Sequence, residues 1–421
     1  MSFTNHNRLL SLTRQLTSYV NQGYHEQALA LFHHMQTSVV LDPPVFPLVL
    51  KSCAAIRRTQ LGAAIHALVG RMGLLSNPFV ACALVDMYGK CASIDVARRL
   101  FDEIPQRNAV VWNAMVSLYT HSKRVREALL VFDAMDVEPS TGTFNSLIAG
   151  LAGVEDGALK AIRFYRKMGE VGLKPDLITL LALLPACADL GSLNLIREIH
   201  GYSVRKNIDP HPQIRSGIVE AYGRCGCLDR ATTVFQSMQQ KNVVPWTSLI
   251  SAYALHGEAA TALEIFGQME LANVRPDGIT FLAVLKACSH GGLADEAIRY
   301  VKKMHEYYGL RATSDHYSCL IDVLSRAGRL SEAYKIISEM PVKATAKSWG
   351  ALLGACRTHG EMELAEIAAR ALFEIEPDNP ATYVLLATIY ANAGRQEEAN
   401  IIRSKMKSVG VRVDPGGSWV E

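Results

Sequence analysis

The chain has 421 residues, 49% of them hydrophobic and 20% charged, with a formal net charge of +3 and a pI near 8.3. No apolar run approaches the roughly 18 to 20 residues a helix needs to cross a bilayer, so a soluble chain is expected, and the hydrophobic content fits tightly stacked helices. So small a positive charge permits an acidic partner without demanding one, because a strongly basic domain would be the better footprint of nucleic-acid binding.

The N-terminus contains no Asp or Glu before Glu26, carries Arg8 and Arg14, and is rich in Ser, Thr and Asn, the composition of an organelle transit peptide. A helical pattern nevertheless begins near Leu9, with Tyr19, Gly23, Ala28, Phe32 and Met35 in place, so only residues 1–8 are set apart as a candidate short transit segment. The same pattern then recurs as far as residue 345. It is clearest from Val243 to Asp277. There Leu249, Ile250, Tyr253 and Ala254 recur at helical spacing before Gly257, and Ala262, Leu263, Ile265, Phe266 and Met269 recur after it, followed by Pro276 and Asp277. That predicts a helical hairpin, which has too little apolar surface to fold alone and needs neighbouring copies to bury its faces.

Three anchors place the copies. A Met closes the second helix at Met135, Met168, Met238, Met269, Met304, Met340 and Met406. A small residue precedes Cys at Ser52-Cys53, Ala186-Cys187, Ala287-Cys288 and Ala355-Cys356, and Tyr88-Gly89-Lys90-Cys91 is matched by Tyr222-Gly223-Arg224-Cys225. These divide the chain into 9–42, 43–77, 78–108, 109–140, 141–176, 177–211, 212–242, 243–277, 278–313 and 314–345, with few positions left for linkers. The nine cysteines are an odd number and most stand at these anchors, where a buried thiol packs like an alanine; a reducing compartment follows.

In these anchors the chain resembles the pentatricopeptide repeat family. The alternation of long, short and standard units is similar to its plant subclass with mixed repeats (P, L and S). The tail adds Ser348-Trp349-Gly350-Ala351-Leu352-Leu353-Gly354-Ala355-Cys356, Glu376-Pro377-Asp378-Asn379, Tyr383-Val384-Leu385-Leu386 and Pro415-Gly416-Gly417-Ser418-Trp419-Val420-Glu421, which match the family's C-terminal extension motifs except that Gly417 stands where a Cys is usual. The resemblance implies an all-α fold, a right-handed superhelical α-solenoid of about ten helical-hairpin repeats over 9–345, followed by two tetratricopeptide-like motifs in an E1/E2-type extension over 346–421. Many relatives continue into a cytidine-deaminase-like (DYW) domain, whereas this sequence stops at Glu421.

A zinc deaminase needs His-x-Glu on one helix and Pro-Cys-x-x-Cys on another, so that three ligands and a proton-shuttling Glu converge on the metal. His256-Gly257-Glu258 and His359-Gly360-Glu361 supply the first half, both at hairpin turns, but no Cys-x-x-Cys exists, and Cys225-Gly226-Cys227 has the wrong spacing. No Walker-type phosphate loop is present. No enzyme activity, metal or cofactor is expected.

A solenoid of this family presents the first helix of each unit along one groove and reads one RNA base per repeat. In the family the fifth residue of a repeat acts with its last. Uracil and guanine offer a ring N–H that Asp accepts, whereas adenine and cytosine offer a ring acceptor that needs a donor such as Asn or Ser. The fifth position pairs Asn with pyrimidines and Thr or Ser with purines. The resemblance therefore implies G for Thr13 with Asp42, C for Asn113 with Ser140, U for Asn145 with Asp176, A for Ser216 with Asn242 and G for Thr247 with Asp277. The long units carry Pro47, Leu181 and Leu282 at the fifth position, before Asn77, His211 and Thr313, and are expected to space or tolerate bases. Cys82 with Asn108, and Ser318 with Thr345 in the last short repeat, stand at reading positions without an assigned base. Each assignment has a plainer rival: Asn or Thr near a helix start is ordinarily a cap, and Asp after Pro a turn residue. Lys90, Arg224 and Arg326 all fall at the thirteenth position of short repeats, placed to touch phosphates or simply to line a solvated face.

The expected function is sequence-specific binding of single-stranded organellar RNA to direct C-to-U editing, with catalysis supplied in trans by a DYW-type deaminase of the editing complex. The protein is expected to be a monomer in the mitochondrion or chloroplast, the mitochondrion slightly favoured. The alternatives are an RNA stabilisation or splicing factor using the same groove, and a protein-binding scaffold of the tetratricopeptide kind, since Pro377 to Ala399 also looks like such a repeat.

Overall fold

The structure is a computed structural model that describes residues 3–104, 107–154, 156–208 and 210–408. Every regular element among them is helical. The chain divides into two compact units, Met1–Gly201 and Tyr202–Glu421. The first holds α1 (Phe3–Asn21), α2 (His25–Ser38), α3 (Val45–Ala55), α4 (Thr59–Arg71), α5 (Pro78–Cys91), α6 (Ile94–Glu103), α7 (Ala109–His121), α8 (Val125–Asp133), α9 (Thr141–Ala152), α10 (Ala158–Glu170) and α11 (Leu177–Asp189). After α12 (Leu193–Arg205), the second holds α13 (Pro212–Arg224), α14 (Leu228–Gln236), α15 (Val243–Leu255), α16 (Ala259–Leu271), α17 (Gly278–Gly291), α18 (Ala294–Glu306), α19 (Ser314–Arg326), α20 (Leu330–Glu339), α21 (Ala346–His359), α22 (Met362–Ile375), α23 (Pro380–Asn392) and α24 (Gln396–Ser408).

Local chemistry sets the helix starts. Asn77, Asn108, Ser140, Asp176, Asn242, Asp277 and Thr345 are N-caps whose side chains accept from first-turn N–H groups. Each such cap is worth about 1 kcal/mol. With six of these caps before α5, α7, α9, α11, α15 and α17, and with Pro212 opening α13, the first helix of eight repeats, from α5 to α19, begins on the first residue expected for that repeat. The first two repeats differ. With no Pro or Gly between Phe3 and Arg8 to stop it, α1 runs back to Phe3, through most of the segment set apart as a transit peptide. In the second repeat Pro43 and Pro44 push the start of α3 to Val45 and leave Asp42 outside the cap. Between the two helices of a repeat the chain turns through a left-handed residue such as Gly257, φ 80°.

Within each unit the first helices of successive repeats pack side by side, and each second helix packs on its own first helix and on that of the next repeat. This is the nearest-neighbour burial of an α-solenoid. The anchors are its contacts. Cys53, Cys187, Cys288 and Cys356 are fully buried, as are Met35, Met168 and Met269, while Met135, Met340 and Met406 are half-buried. Gly223 lets α13 and α15 approach closely: a Cβ there would stand 2.4 Å from the Cβ of Ala252. The motif over Pro415–Glu421, like Met1 and Ser2, lies outside the described residues.

Candidate nucleic-acid interface

The fifth residue of a repeat lies on the second turn of its first helix, and the last residue caps the first helix of the next. Stacking brings the two together. In the fifth repeat, Asn145 donates from Nδ2 to Asp176 Oδ1 at 3.0 Å and accepts at Oδ1 from the Thr179 hydroxyl at 2.6 Å. Asp176 Oδ1 also accepts from the Thr179 N–H at 2.8 Å and lies 2.9 Å from its hydroxyl. Burial disfavours the Asp176 carboxylate, but the bonds from Thr179 and Asn145 outweigh it and hold its pKa below the ordinary carboxylate range. Asp176 is therefore an ionised acceptor whose orientation is fixed.

The fourth repeat repeats this geometry. Asn113 donates to Ser140 Oγ at 2.9 Å and accepts from Thr143, and Ser140 caps Thr143. In the eighth, Thr247 and Asp277 are joined through Thr280, whose Oγ1 is 2.7 Å from that of Thr247 and donates to Asp277 at 2.9 Å. In the tenth, Ser318 Oγ lies 3.2 Å from Thr345 Oγ1 and 2.9 Å from Ser348 Oγ.

Two expected pairs are not joined by hydrogen bonds. Ser216 is buried and donates back to the Pro212 carbonyl at 2.8 Å, while Asn242 caps Val244. Thr13 donates to Leu9 O at 2.8 Å, and the exposed Asp42 does not cap α3. The cap reading of the last residue and the base-reading one thus describe the same side chains. A capping carboxylate has a second oxygen to offer.

Reading the sequence missed a further set of residues. The second residue of several repeats is large, apolar and exposed: Phe79 (66%), Val110 (38%), Ile178 (60%), Val244 (50%) and Ile279 (68%). The available signal was a bulky apolar residue immediately after the first residue of a first helix, off the buried stripe. Val244 and Ile279, with Thr247 and Asp277, line a cleft of about 440 Å³ along α13, α15 and α17. Apolar walls around a polar floor suit a flat, hydrogen-bonding ring.

Charge on this face is arranged by repeat type. Lys90 pairs with Asp86 at 2.8 Å and Arg326 with Asp322 at 3.1 Å, and Arg224 follows Glu220 by the same four-residue step. Lys286 lies at the ninth position of a long repeat, is exposed, and lines both the 440 Å³ cleft and an adjoining one of about 530 Å³ along α17, α19 and α21. It forms no ion pair with a described residue.

The His-Gly-Glu segments are turn elements. His256 donates from Nε2 to the Gly223 carbonyl at 2.8 Å, Gly257 makes the turn and Glu258 immediately precedes α16; His359 ends α21 against Gly328, with Gly360 in the turn and Glu361 immediately preceding α22, neither Glu side chain capping its helix. Among the described residues no three His, Cys, Asp or Glu side chains are grouped to hold a metal, and no helix is long and apolar enough to cross a membrane.

Family models match the "PPR repeat" at 110–138, 216–243, 279–308 and 315–343, the "PPR repeat family" at 241–290 and the "E motif" at 359–421. A pentatricopeptide repeat-containing protein of Arabidopsis thaliana is 62% identical over 414 residues, 98% of this chain and 96% of that protein. The chain belongs to the pentatricopeptide repeat family. Its E motif fits the plant subclass with mixed repeats. Other relatives are longer: a chloroplastic pentatricopeptide repeat-containing protein of Arabidopsis thaliana is 37% identical over 410 residues, and the chain spans 96% of itself but 44% of that relative. Among solved structures, the pentatricopeptide repeat protein PPR10 in complex with an 18-nt psaJ RNA element is similar with a TM-score of 0.77 at 21% identity, over 96% of this chain and 61% of that one. PPR10 from maize gives a TM-score of 0.61 at 20% identity, over 95% and 64%. These are likenesses of fold.

Proposed function

We propose that this pentatricopeptide repeat protein binds single-stranded RNA along the first-helix face, one base per repeat, and acts as a site-recognition factor for organellar C-to-U editing with a DYW-type deaminase working in trans. The observation that carries the reading is the joined pair of Asn145 and Asp176. A donor and an ionised acceptor are held side by side at the mouth of a repeat, with the exposed apolar Ile178 beside them. Asp176 Oδ1 is filled by protein donors, so an incoming ring N–H is met at Oδ2.

The solved PPR10–RNA complex has this fold, and the chloroplastic names of some relatives support an organelle. The fifth residues of α21 and α23 are Gly350 and Val384, which read no base, and Val384 and Ile401 are exposed. That favours a partner-binding role for the E-motif hairpins.

In the family's orientation, RNA 5′ end at the first repeat and the last repeat over the fourth nucleotide before the target, the pairs spell 5′-G-n-n-C-U-n-A-G-n-n-n-n-n-C. The test is a titration of wild type and Asp277→Asn against RNAs carrying G or A at the eighth position. Wild type should favour G by on the order of tenfold and the variant should shift toward A. Equal affinities for both RNAs in both proteins would remove the base-reading assignment. Organelle RNA sequencing from plants lacking the protein should show one or a few unedited cytidines behind that order; complete editing would leave stabilisation or splicing as the role.

A further inference from the structure

We infer that base discrimination is set by three residues per site, the third being a buried hydroxyl at the third position of the following repeat, and that it is concentrated at the sites that have one. This rests on the base-reading assignment above. The hydroxyl residues are Thr143, Thr179, Thr280 and Ser348, all with no exposed surface. Each stands between the two residues of the preceding pair.

The chemistry is clearest at Thr179. Its Oγ1 accepts from the Asp176 backbone N–H at 3.1 Å, so its one proton is left for the Asn145 carbonyl oxygen at 2.6 Å or the Asp176 carboxylate at 2.9 Å. A primary amide can rotate by half a turn and exchange its donor and acceptor. Two contacts penalise that exchange: the rotated amide would set its oxygen against the Asp176 carboxylate, and it would lose the 2.6 Å bond that its oxygen accepts from the Thr179 hydroxyl. With Thr179 in place, Asn145 keeps its N–H₂ toward Asp176 and its remaining proton toward the groove. Without it, only Asp176 orders the amide, and the arrangement of donors and acceptors that separates uracil from cytosine is held less firmly.

The same contact recurs wherever the sequence provides the hydroxyl. Thr143 donates to Asn113, Thr280 bonds Thr247 and Asp277, and Ser348 bonds Ser318 and lies 3.4 Å from Thr345. Where the third residue is Val45 or Pro245, the pairs Thr13 with Asp42 and Ser216 with Asn242 are not joined, and the fifth residues bond only their own helix, whereas Ser318, which also donates to the Ser314 carbonyl, reaches Ser348 and Thr345 as well. Base selectivity should therefore reside in the fourth, fifth, eighth and tenth repeats, and the first and seventh should tolerate substitution of their bases. Thr179 is a positioning residue: buried behind Asn145 and Asp176, it touches no RNA.

The experiment measures affinities of the full chain for two RNAs that differ by U or C at the fifth position. The proteins are wild type, Thr179→Val, which keeps the shape and removes the hydroxyl, and Thr179→Ser, which restores it. Wild type and Thr179→Ser should favour U by on the order of tenfold, and Thr179→Val should lower that ratio severalfold. A hydroxyl needed only for the cap would weaken both RNAs alike and leave the ratio intact. An undiminished preference in Thr179→Val overturns the inference while the base-reading assignment stands. No preference in wild type overturns both. A second variant, Pro245→Thr, installs the hydroxyl behind Ser216 and Asn242 and should raise the preference for A over G at the seventh position. If Thr179→Val does not fold, this gain decides, and an unchanged ratio overturns the inference.

Discussion

The side-chain amide of Asn145 lies 3.0 Å from the carboxylate of Asp176 although 31 positions separate them in sequence. One residue lies inside a first helix and the other caps the next first helix, so the contact exists only because successive repeats stack. The proposed base-reading pair is thus a property of the junction between repeats. Its state depends on the packing of both.

That dependence gives Asp176 a pH signature. Its native pKa is lowered, so its contribution to stability is present above the unfolded carboxylate value of about 3.9 and is lost as pH falls through the lower native value. Urea unfolding should show wild type more stable than Asp176→Asn at neutral pH, with the gap closing in acid. A gap that stays constant down to about pH 2 would contradict the ionised, bonded carboxylate.

The cations of the groove should divide by whether they are already paired. Lys286→Gln removes a charge with no carboxylate partner among the described residues and should lower the slope of log affinity against log salt by about 0.7 if it meets a phosphate of a single strand. Asp322→Asn with Arg326→Gln removes a neutral pair and should leave the slope nearly unchanged. Titrations at several salt concentrations measure both slopes, and equal losses would mean that pairing with Asp322 does not spend the charge of Arg326.

Gly223→Ala places a methyl 2.4 Å from the Cβ of Ala252, where two first helices touch. Overpacking of this kind costs about 1 to 3 kcal/mol, more than the roughly 1 kcal/mol that Ala gains over Gly in a helix. Urea denaturation should show a net loss. Adding Ala252→Gly should restore the helix spacing and recover part of it.

The anchor thiols should be inert in the folded protein. Burial, with Glu296 nearby, pushes Cys288 up to about 12, and burial pushes Cys53 and Cys356 up to about 11. Alkylation at about pH 8, mapped by mass spectrometry, should modify these three only after denaturant is added, since the thiolate is the reactive form. Labelling without denaturant would show that the repeats open locally.

The sequence by itself determined what is local. Helix periodicity, the cap residues and the turn glycines each act within a few residues, so the hairpins and the first-helix starts of eight repeats were legible from the recurring Cys, Met and Gly-containing anchors. The exceptions were local as well: α1 starts early for want of a breaker, and Pro43 and Pro44 delay α3. Only the tertiary structure decided which fifth and last residues meet. Thr179 reaches Asn145 across 34 positions and Thr280 reaches Thr247 across 33, distances in sequence that no periodicity brings within 3 Å and that stacking does. The same stacking set the second-position residues Val244 and Ile279 along one cleft. Position in the repeat could be read residue by residue, but contact depends on two helices from different repeats arriving at one place.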